Sequence, residues 1–329
     1  MRRPHAFITG IAGFAGSFLA EELLRSNYTV TGSILEHEST ENIEHLADRI
    51  RLEQLDVLDS HTCRSLLERL KPDYVFHLAA IASVGKSFDL ERLTFRVNFH
   101  GTLNMLEAAR QARSLKKFLF VGSADAYGIF KPENKTLSEG QPLNPISPYG
   151  IGKAAAEYAV RYYYRQYELP VVTARSFNHS GPRQTEHFVI PAFARQIVAI
   201  EMRAQEPILR VGDLSTRRDF SDVRDIVRGY RLIAEKGQTG EVYQLCSGRA
   251  VSIRKVLDTL VGKSSQKIKV ETDPARLRKS DIPVLRGSNR KAASEVGFKN
   301  DFRLSDTLAD TLNYWRERLQ RENKLIHGS

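Results

Sequence analysis

Tyr149 and Lys153 stand one helical turn apart in the segment Tyr149-Gly150-Ile151-Gly152-Lys153. Residues four apart on a helix face the same way, so both side chains can reach one reacting group and each can act on the other. A free phenol has a pKa near ~10 and accepts protons poorly at neutral pH. A nearby ammonium favours the phenolate, so the spacing predicts that Lys153 lowers the pKa of Tyr149. A phenol tuned in this way passes a proton to or from a sugar hydroxyl while a hydride moves on the adjacent carbon. Ser123 ends the apolar run from Lys117 to Gly122, and its hydroxyl falls where open α/β sheets keep their ligands.

The elements that must position these groups alternate between strand and helix. Ala6 to Thr9 reads as a strand that runs into Gly10-Ile11-Ala12-Gly13-Phe14-Ala15-Gly16 and then a helix with Phe18, Leu19, Leu23 and Leu24 on its apolar side. In that order the glycines allow a tight turn, close backbone approach to a pyrophosphate, and helix-on-strand packing. The helix N-terminus then faces the phosphates. A second strand, Thr29 to Ser33, ends without the acidic residue that would hold the ribose 2′-hydroxyl of NAD; Glu36 and Glu38 lie further on. This favours NADP(H), with NAD(H) as the alternative. Strands are also expected from Arg51 to Leu55, Asp73 to Leu78 and Leu169 to Ser176, with helices from Leu90 to Ala112 and from Tyr149 to Tyr167. Asp56-Val57 would sit beside the adenine, and Ala79-Ala80 would let a nicotinamide or ribose approach. Asn98 is expected to bond to neighbouring backbone.

Six such strands imply an α/β, Rossmann-like, doubly wound parallel sheet. From Phe177 the alternation breaks. A helix is expected from Val189 to Arg203, a return to the first sheet near Arg218 to Ile233, a strand from Glu241 to Cys246, and helices from Ile253 to Val261 and from Leu304 to Leu319. The expected division is 1–177 with 217–246 for the dinucleotide and 178–216 with 247–321 for a smaller α/β substrate domain. Residues 322–329 would be a frayed tail.

Composition narrows the classes. The chain has 329 residues, 41% hydrophobic and 27% charged, and no apolar run approaches the roughly 20 residues that a membrane-spanning helix needs. Met1-Arg2-Arg3-Pro4-His5 leads into a strand and not into a signal-peptide core, so a cytoplasmic protein is expected. Cys63 and Cys246 are far apart, and neither they nor the nine histidines show a metal-ligand spacing. The net charge of +10 is spread along the chain without a dense basic tract, which speaks against nucleic acid and leaves a solvated basic surface first and a phosphate-bearing ligand second. Arg218, Arg278 and Arg286 are candidates for a diphosphate, which guanidinium groups bind in bidentate fashion.

Thr9-Gly10, Gly13-Phe14, Gly16, Asp56-Val57, His77-Leu78-Ala79-Ala80, Asn98, Ser123, Tyr149 with Lys153, and Arg218-Asp219-Phe220 with Val223 and Asp225 together resemble the extended short-chain dehydrogenase/reductases that act on nucleotide sugars. Within that group, Arg175 to Pro182, Phe188 to Pro191, Val211-Gly212-Asp213 and Asp273 to Arg276 are similar to GDP-4-keto-6-deoxy-D-mannose reductases, which make GDP-D-rhamnose. GDP-mannose 4,6-dehydratases are the sister family. The resemblance implies Ser123, Tyr149 and Lys153 as the catalytic set. For the cofactor it implies Gly10, Ala12, Gly13, Phe14, Ala15, Gly16, Ser33, Asp56, Val57, Leu78, Ala79, Ala80, Asn98 and Phe177, besides Tyr149 and Lys153. For the GDP-sugar it implies Ser83, Ser123, Asp125, Asn178, Val189, Arg195, Arg218, Arg278 and Asp281.

Dehydratases of this group place a glutamate two residues before the tyrosine of the Tyr127-Gly128 pair and a threonine four before it; here these are Asp125 and Ser123. A carboxylate shortened by one methylene misses its proton by about an ångström, which costs roughly a hundredfold in rate. Reduction is therefore expected over dehydration, with a 4-epimerase as a further alternative. The chain departs from the family in having Arg183-Gln184 after Gly181-Pro182 and Lys279 after Arg278. The resemblance also implies a homodimer joined through the helices after the fourth and fifth strands, where Tyr158, Tyr162, Tyr163 and Tyr164 cluster, and a role in supplying cell-surface glycan.

Overall fold

The computed structural model describes residues 2–112, 115–132, 135–277 and 282–327. Strand β1 (His5–Thr9) sends Ala6 and Ile8 into one hydrophobic cluster and Phe7 into another, as period-two alternation requires of a strand covered on both faces. After it come α1 (Phe14–Arg25), β2 (Thr29–Ile34), β3 (Ile50–Gln54), α2 (Ser60–Leu70) and β4 (Tyr74–His77). The helix expected from Leu90 to Ala112 is broken into α3 (Val84–Asp89), α4 (Glu91–Phe95), a wider π-helical turn over Arg96–Gly101, and α5 (Thr102–Gln111). Then follow β5 (Lys117–Ser123), α6 (Pro148–Tyr167) and β6 (Val171–Ser176). Ser147 caps α6 by accepting the Gly150 amide at 3.1 Å, and Pro148 occupies the first turn, where its missing N–H costs nothing.

The rest comprises β7 (Asn178–Ser180), α7 (Val189–Glu201), β8 (Ile208–Val211), β9 (Arg217–Asp222), α8 (Val223–Lys236), β10 (Val242–Leu245), β11 (Ala250–Ser252), α9 (Ile253–Val261), β12 (Lys269–Thr272), β13 (Val284–Leu285), α10 (Arg290–Val296) and α11 (Leu304–His327). The main sheet has seven parallel strands in the order β3-β2-β1-β4-β5-β6-β10, a Rossmann-like doubly wound sheet. Helices α1 and α8 cover one face, and α2, α5 and α6 the other. A smaller sheet joins β7, β9, β11 and β13, and β8 pairs with β12.

Two expectations need correction. Residues 217–222 belong to the smaller sheet, and the chain returns to the main one only with α8, which packs on α1. The tail expected to fray from Glu322 continues as helix to His327, with Arg318 and Glu322 paired at 3.0 Å across one turn.

Candidate active site

Parallel pairing brings the candidate residues to one edge. Thr9 is in register with Ser33 on β2 and with His77 on β4, and Ser123 on β5 is in register with Ser176 on β6. All lie at the C-terminal ends of their strands, where such sheets hold ligands, and β1 and β4 flank the point at which the strand order reverses.

At that point the glycine turn is tight. Gly10 has φ of 72°, a conformation that favours glycine, and a Cβ there would stand 3.2 Å from the Ala79 Cα. A Cβ on Gly16 would stand 2.2 Å from the Gly10 carbonyl oxygen. The first turn of α1 has no acidic residue and no capping side chain, so the amides of Phe14, Ala15 and Gly16 point outward beside the helix dipole's positive end. This cradle fits a dinucleotide pyrophosphate. Ser33 Oγ accepts the Gly10 amide at 3.4 Å, Ala12 is buried with its carbonyl on Asn42 Nδ2 at 2.9 Å, and the Phe14 ring stacks on His179. Asp56 Oδ1 accepts the Leu58 amide at 2.9 Å, and Val57 lies buried against Gly101. Asn98 sits in the π-helical turn, a feature common at functional sites. As expected it bonds to backbone, accepting the Ile81 amide at 2.8 Å and donating to the Ile81 carbonyl at 3.1 Å. Ala80 lies in that same stretch, and Phe177 is buried beside Gly287.

Ser123, Tyr149 and Lys153 are all buried. Tyr149 is hydrogen-bonded with Ser123, whose Oγ also accepts the Asp125 amide at 3.1 Å and lies 3.3 Å from Asp125 Oδ2. The expected effect of Lys153 on the phenol is overturned. Burial first, and then the Asp125 carboxylate, push the Tyr149 pKa up, and only the Ser123 hydrogen bond opposes them. The Lys153 ammonium donates to the Val121 carbonyl at 2.8 Å and lies over the Phe120 ring, and burial lowers its pKa to about 8. Tyr149 thus keeps its proton at neutral pH, the state of a proton donor.

Two adjoining clefts of about 250 Å³ each lie beside the smaller sheet. Asn178, Val189 and Arg218 line one and Arg195 the other, and Arg210 and Arg276 line both. Asn178 Oδ1 is buried without a hydrogen-bond partner, as a group that awaits a ligand would be. Arg218 Nη1 donates to the Arg217 and Ile282 carbonyls. Ser83 caps α3 by accepting the Lys86 amide. Arg278 and Asp281 fall outside the described residues. Arg210 went unread as a site residue, although β8 alternates buried and exposed positions and puts Arg210 on the exposed side.

A Rossmann-like sheet with this Ser–Tyr–Lys set at its ligand edge defines an extended short-chain dehydrogenase/reductase, an NAD(P)-dependent oxidoreductase of the nucleotide-sugar class. The family model for GDP-mannose 4,6 dehydratase matches residues 7–311, and the chain belongs to that family. It is 30% identical to GDP-6-deoxy-D-mannose reductase of Pseudomonas aeruginosa over 96% of this chain and 98% of that one. The structure of RMD from Pseudomonas aeruginosa complexed with NADPH superposes with a TM-score of 0.82 at 30% identity, covering 96% of this chain and 99% of that one. The Thermus thermophilus UDP-glucose 4-epimerase complex with NAD superposes with a TM-score of 0.85 at 28% identity, covering 95% of this chain and 99% of that one. Among the described residues no helix is long and apolar enough to cross a membrane, and no group of three or more His, Cys, Asp or Glu could hold a metal ion.

Proposed function

We infer that the chain reduces the C4 ketone of GDP-4-keto-6-deoxy-D-mannose to GDP-D-rhamnose, with NADP(H) favoured over NAD(H). The observation that carries this reading is a buried Tyr149, its pKa pushed up by that burial, bonded to Ser123 with the short Asp125 carboxylate beside them. The nicotinamide, held by the glycine cradle, Asp56-Val57, Leu78 to Ala80 and Lys153, supplies the hydride when bound. Tyr149 gives its phenolic proton to the C4 oxygen as the ketone becomes an alcohol, and Ser123 hydrogen-bonds that oxygen as charge develops. Lys153 supplies positive charge beneath the site. Asn178 offers its free amide oxygen to the sugar nucleotide, and Arg195, Arg210 and Arg276 surround the clefts with charge suited to a diphosphate. The smaller sheet and its helices form the substrate-binding part in this reading, and the partner is a second copy of the chain.

The test is incubation with GDP-mannose, an authentic dehydratase and NADPH, with the product read by mass spectrometry and NMR. GDP-rhamnose formed with stoichiometric NADPH oxidation is expected, and Tyr149→Phe should lower the rate by about 10²–10⁴-fold. If the keto sugar causes no oxidation of either nicotinamide, the reading is wrong. Dehydration of GDP-mannose itself is the second reading, favoured by the family match and by a carboxylate at the Asp125 position. It would appear as conversion without net cofactor consumption.

A further inference from the structure

His77 is buried at the end of β4 and takes no part in the chemistry above, yet every polar atom of its ring is engaged. Its Nδ1 lies 2.8 Å from Thr9 Oγ1 and its Nε2 lies 3.1 Å from Thr102 Oγ1. Thr9 Oγ1 also accepts the amides of Leu78 and Ala79, both at 3.1 Å. A hydroxyl has one proton and two lone pairs. With both lone pairs taken by amides, the Thr9 proton goes to His77 Nδ1. Nδ1 is then the acceptor, and the ring's own proton sits on Nε2 and is donated to Thr102. Thr102 passes its proton on to the Asn98 carbonyl at 2.8 Å. The Asn98 side chain closes the chain on the Ile81 amide and carbonyl.

The result is a bracket around residues 78–81. One end of that stretch hangs from Thr9, the other from Asn98, and His77 spans the two. A doubly protonated ring would aim a second N–H at a Thr9 oxygen with no lone pair left, and would face the Lys153 ammonium, the charged group that bears on it; Phe118 and Phe120 supply the remaining walls. Burial accordingly lowers the His77 pKa to about 3.

We propose that His77 is a positioning residue for the cofactor: its Nε2–H imidazole fixes the Leu78-Ala79-Ala80-Ile81 stretch, beside the glycine turn, in the place where the nicotinamide and its ribose are received. The proposal rests on the chain's use of a nicotinamide cofactor and is independent of which sugar is reduced. It accounts for a threonine before Gly10 and a histidine before Leu78, since each carries a hydrogen bond that no apolar residue can replace.

Two measurements test it. In the ¹⁵N-histidine NMR spectrum of the cofactor-free chain, the resonance lost in His77→Asn should show a proton on Nε2 and none on Nδ1 at pH 6 to 8; a proton on Nδ1 would overturn the proposal. Calorimetric titration with NADPH should show about tenfold weaker binding for His77→Leu, the loss of roughly one hydrogen bond's worth of order. His77→Asn should recover most of that, because its side-chain oxygen can still accept from Thr9. The KM for the sugar nucleotide should move less than twofold in both. Equal NADPH affinity in wild type and His77→Leu, with only the melting temperature lowered, would reduce His77 to a core residue and overturn the proposal. Failure of the wild-type chain to bind NADPH or NADH would overturn the nicotinamide reading and the role of His77 with it. That outcome is separable, because the tautomer is read without cofactor.

Discussion

At the scale of single residues, the chemistry turns on where two protons reside. Tyr149 lies above the ordinary phenol pKa and Lys153 below the ordinary ammonium value, at about 8. The rate of the proposed reduction should therefore stay level from pH 6 to about 7, where both groups are protonated, and fall through pH 8 as Lys153 loses its charge; a rate that rises through pH 8 would contradict this. Stability carries the opposite sign. Between about 8 and the unfolded lysine value near ~10.4 the unfolded chain holds the extra proton, so the Lys153 contribution to stability rises with pH across that window, against the opposite contributions of the buried thiols Cys63 and Cys246. Lys153→Met should make stability fall more steeply with pH there in urea titrations. The sequence made Tyr149, Lys153 and Ser123 legible, but it paired the phenol with the wrong neighbour. Helical spacing says that two side chains share a face; it is silent about the Val121 carbonyl that takes the ammonium and about Asp125, which a separate loop brings against the phenol. His77 and Thr9 were visible as motif residues, yet their roles need hydrogen bonds among distant segments.

At the scale of elements, α6 is held by a buried ion pair. Glu157, two turns beyond Tyr149, accepts from Arg175 Nε on β6 at 2.9 Å, and both side chains are almost wholly buried. Arg175 also donates to the Tyr127 hydroxyl, four residues after Ser123, so one pair links the helix that carries Tyr149 to the loop that follows Ser123. Glu157→Ala would leave a buried guanidinium unpaired and should cost about 3–5 kcal/mol in denaturant unfolding; a loss below about 1 kcal/mol would show that water reaches the pair. Gly16→Ala should abolish NADPH binding, because its methyl meets backbone that cannot yield. Most strands and the helices α6, α7 and α9 were legible from apolar periodicity to within a few residues. The break between Leu90 and Thr102 was not, since a single wider turn leaves helix-forming residues on both sides of it and has no residue type of its own. Nor was β9, whose polar run Arg217-Arg218-Asp219 becomes a strand only through partners far away in the sequence.

At the scale of the whole molecule, α6 exposes Tyr158 and Tyr162 one turn apart on the same face, with Tyr167 packed edge-on against Tyr162, and Leu90 and Leu93 are exposed in the chain around α4. Residues of this kind are enriched where copies meet. Light scattering should give twice the mass of one chain, and Tyr158→Glu combined with Tyr162→Glu should halve it; a wild-type mass of one chain would remove the homodimer. The path between the two sheets carries a last consequence. The chain leaves the main sheet after Ser176 and again after Leu245, both times at the edge that holds Ser123. No single cut of the gene could therefore release the smaller sheet as one uninterrupted piece. It is written in two instalments, each following a strand end on the rim that holds Ser123, so lengthening or trimming those connections reshapes the clefts while the seven parallel strands stay as they are.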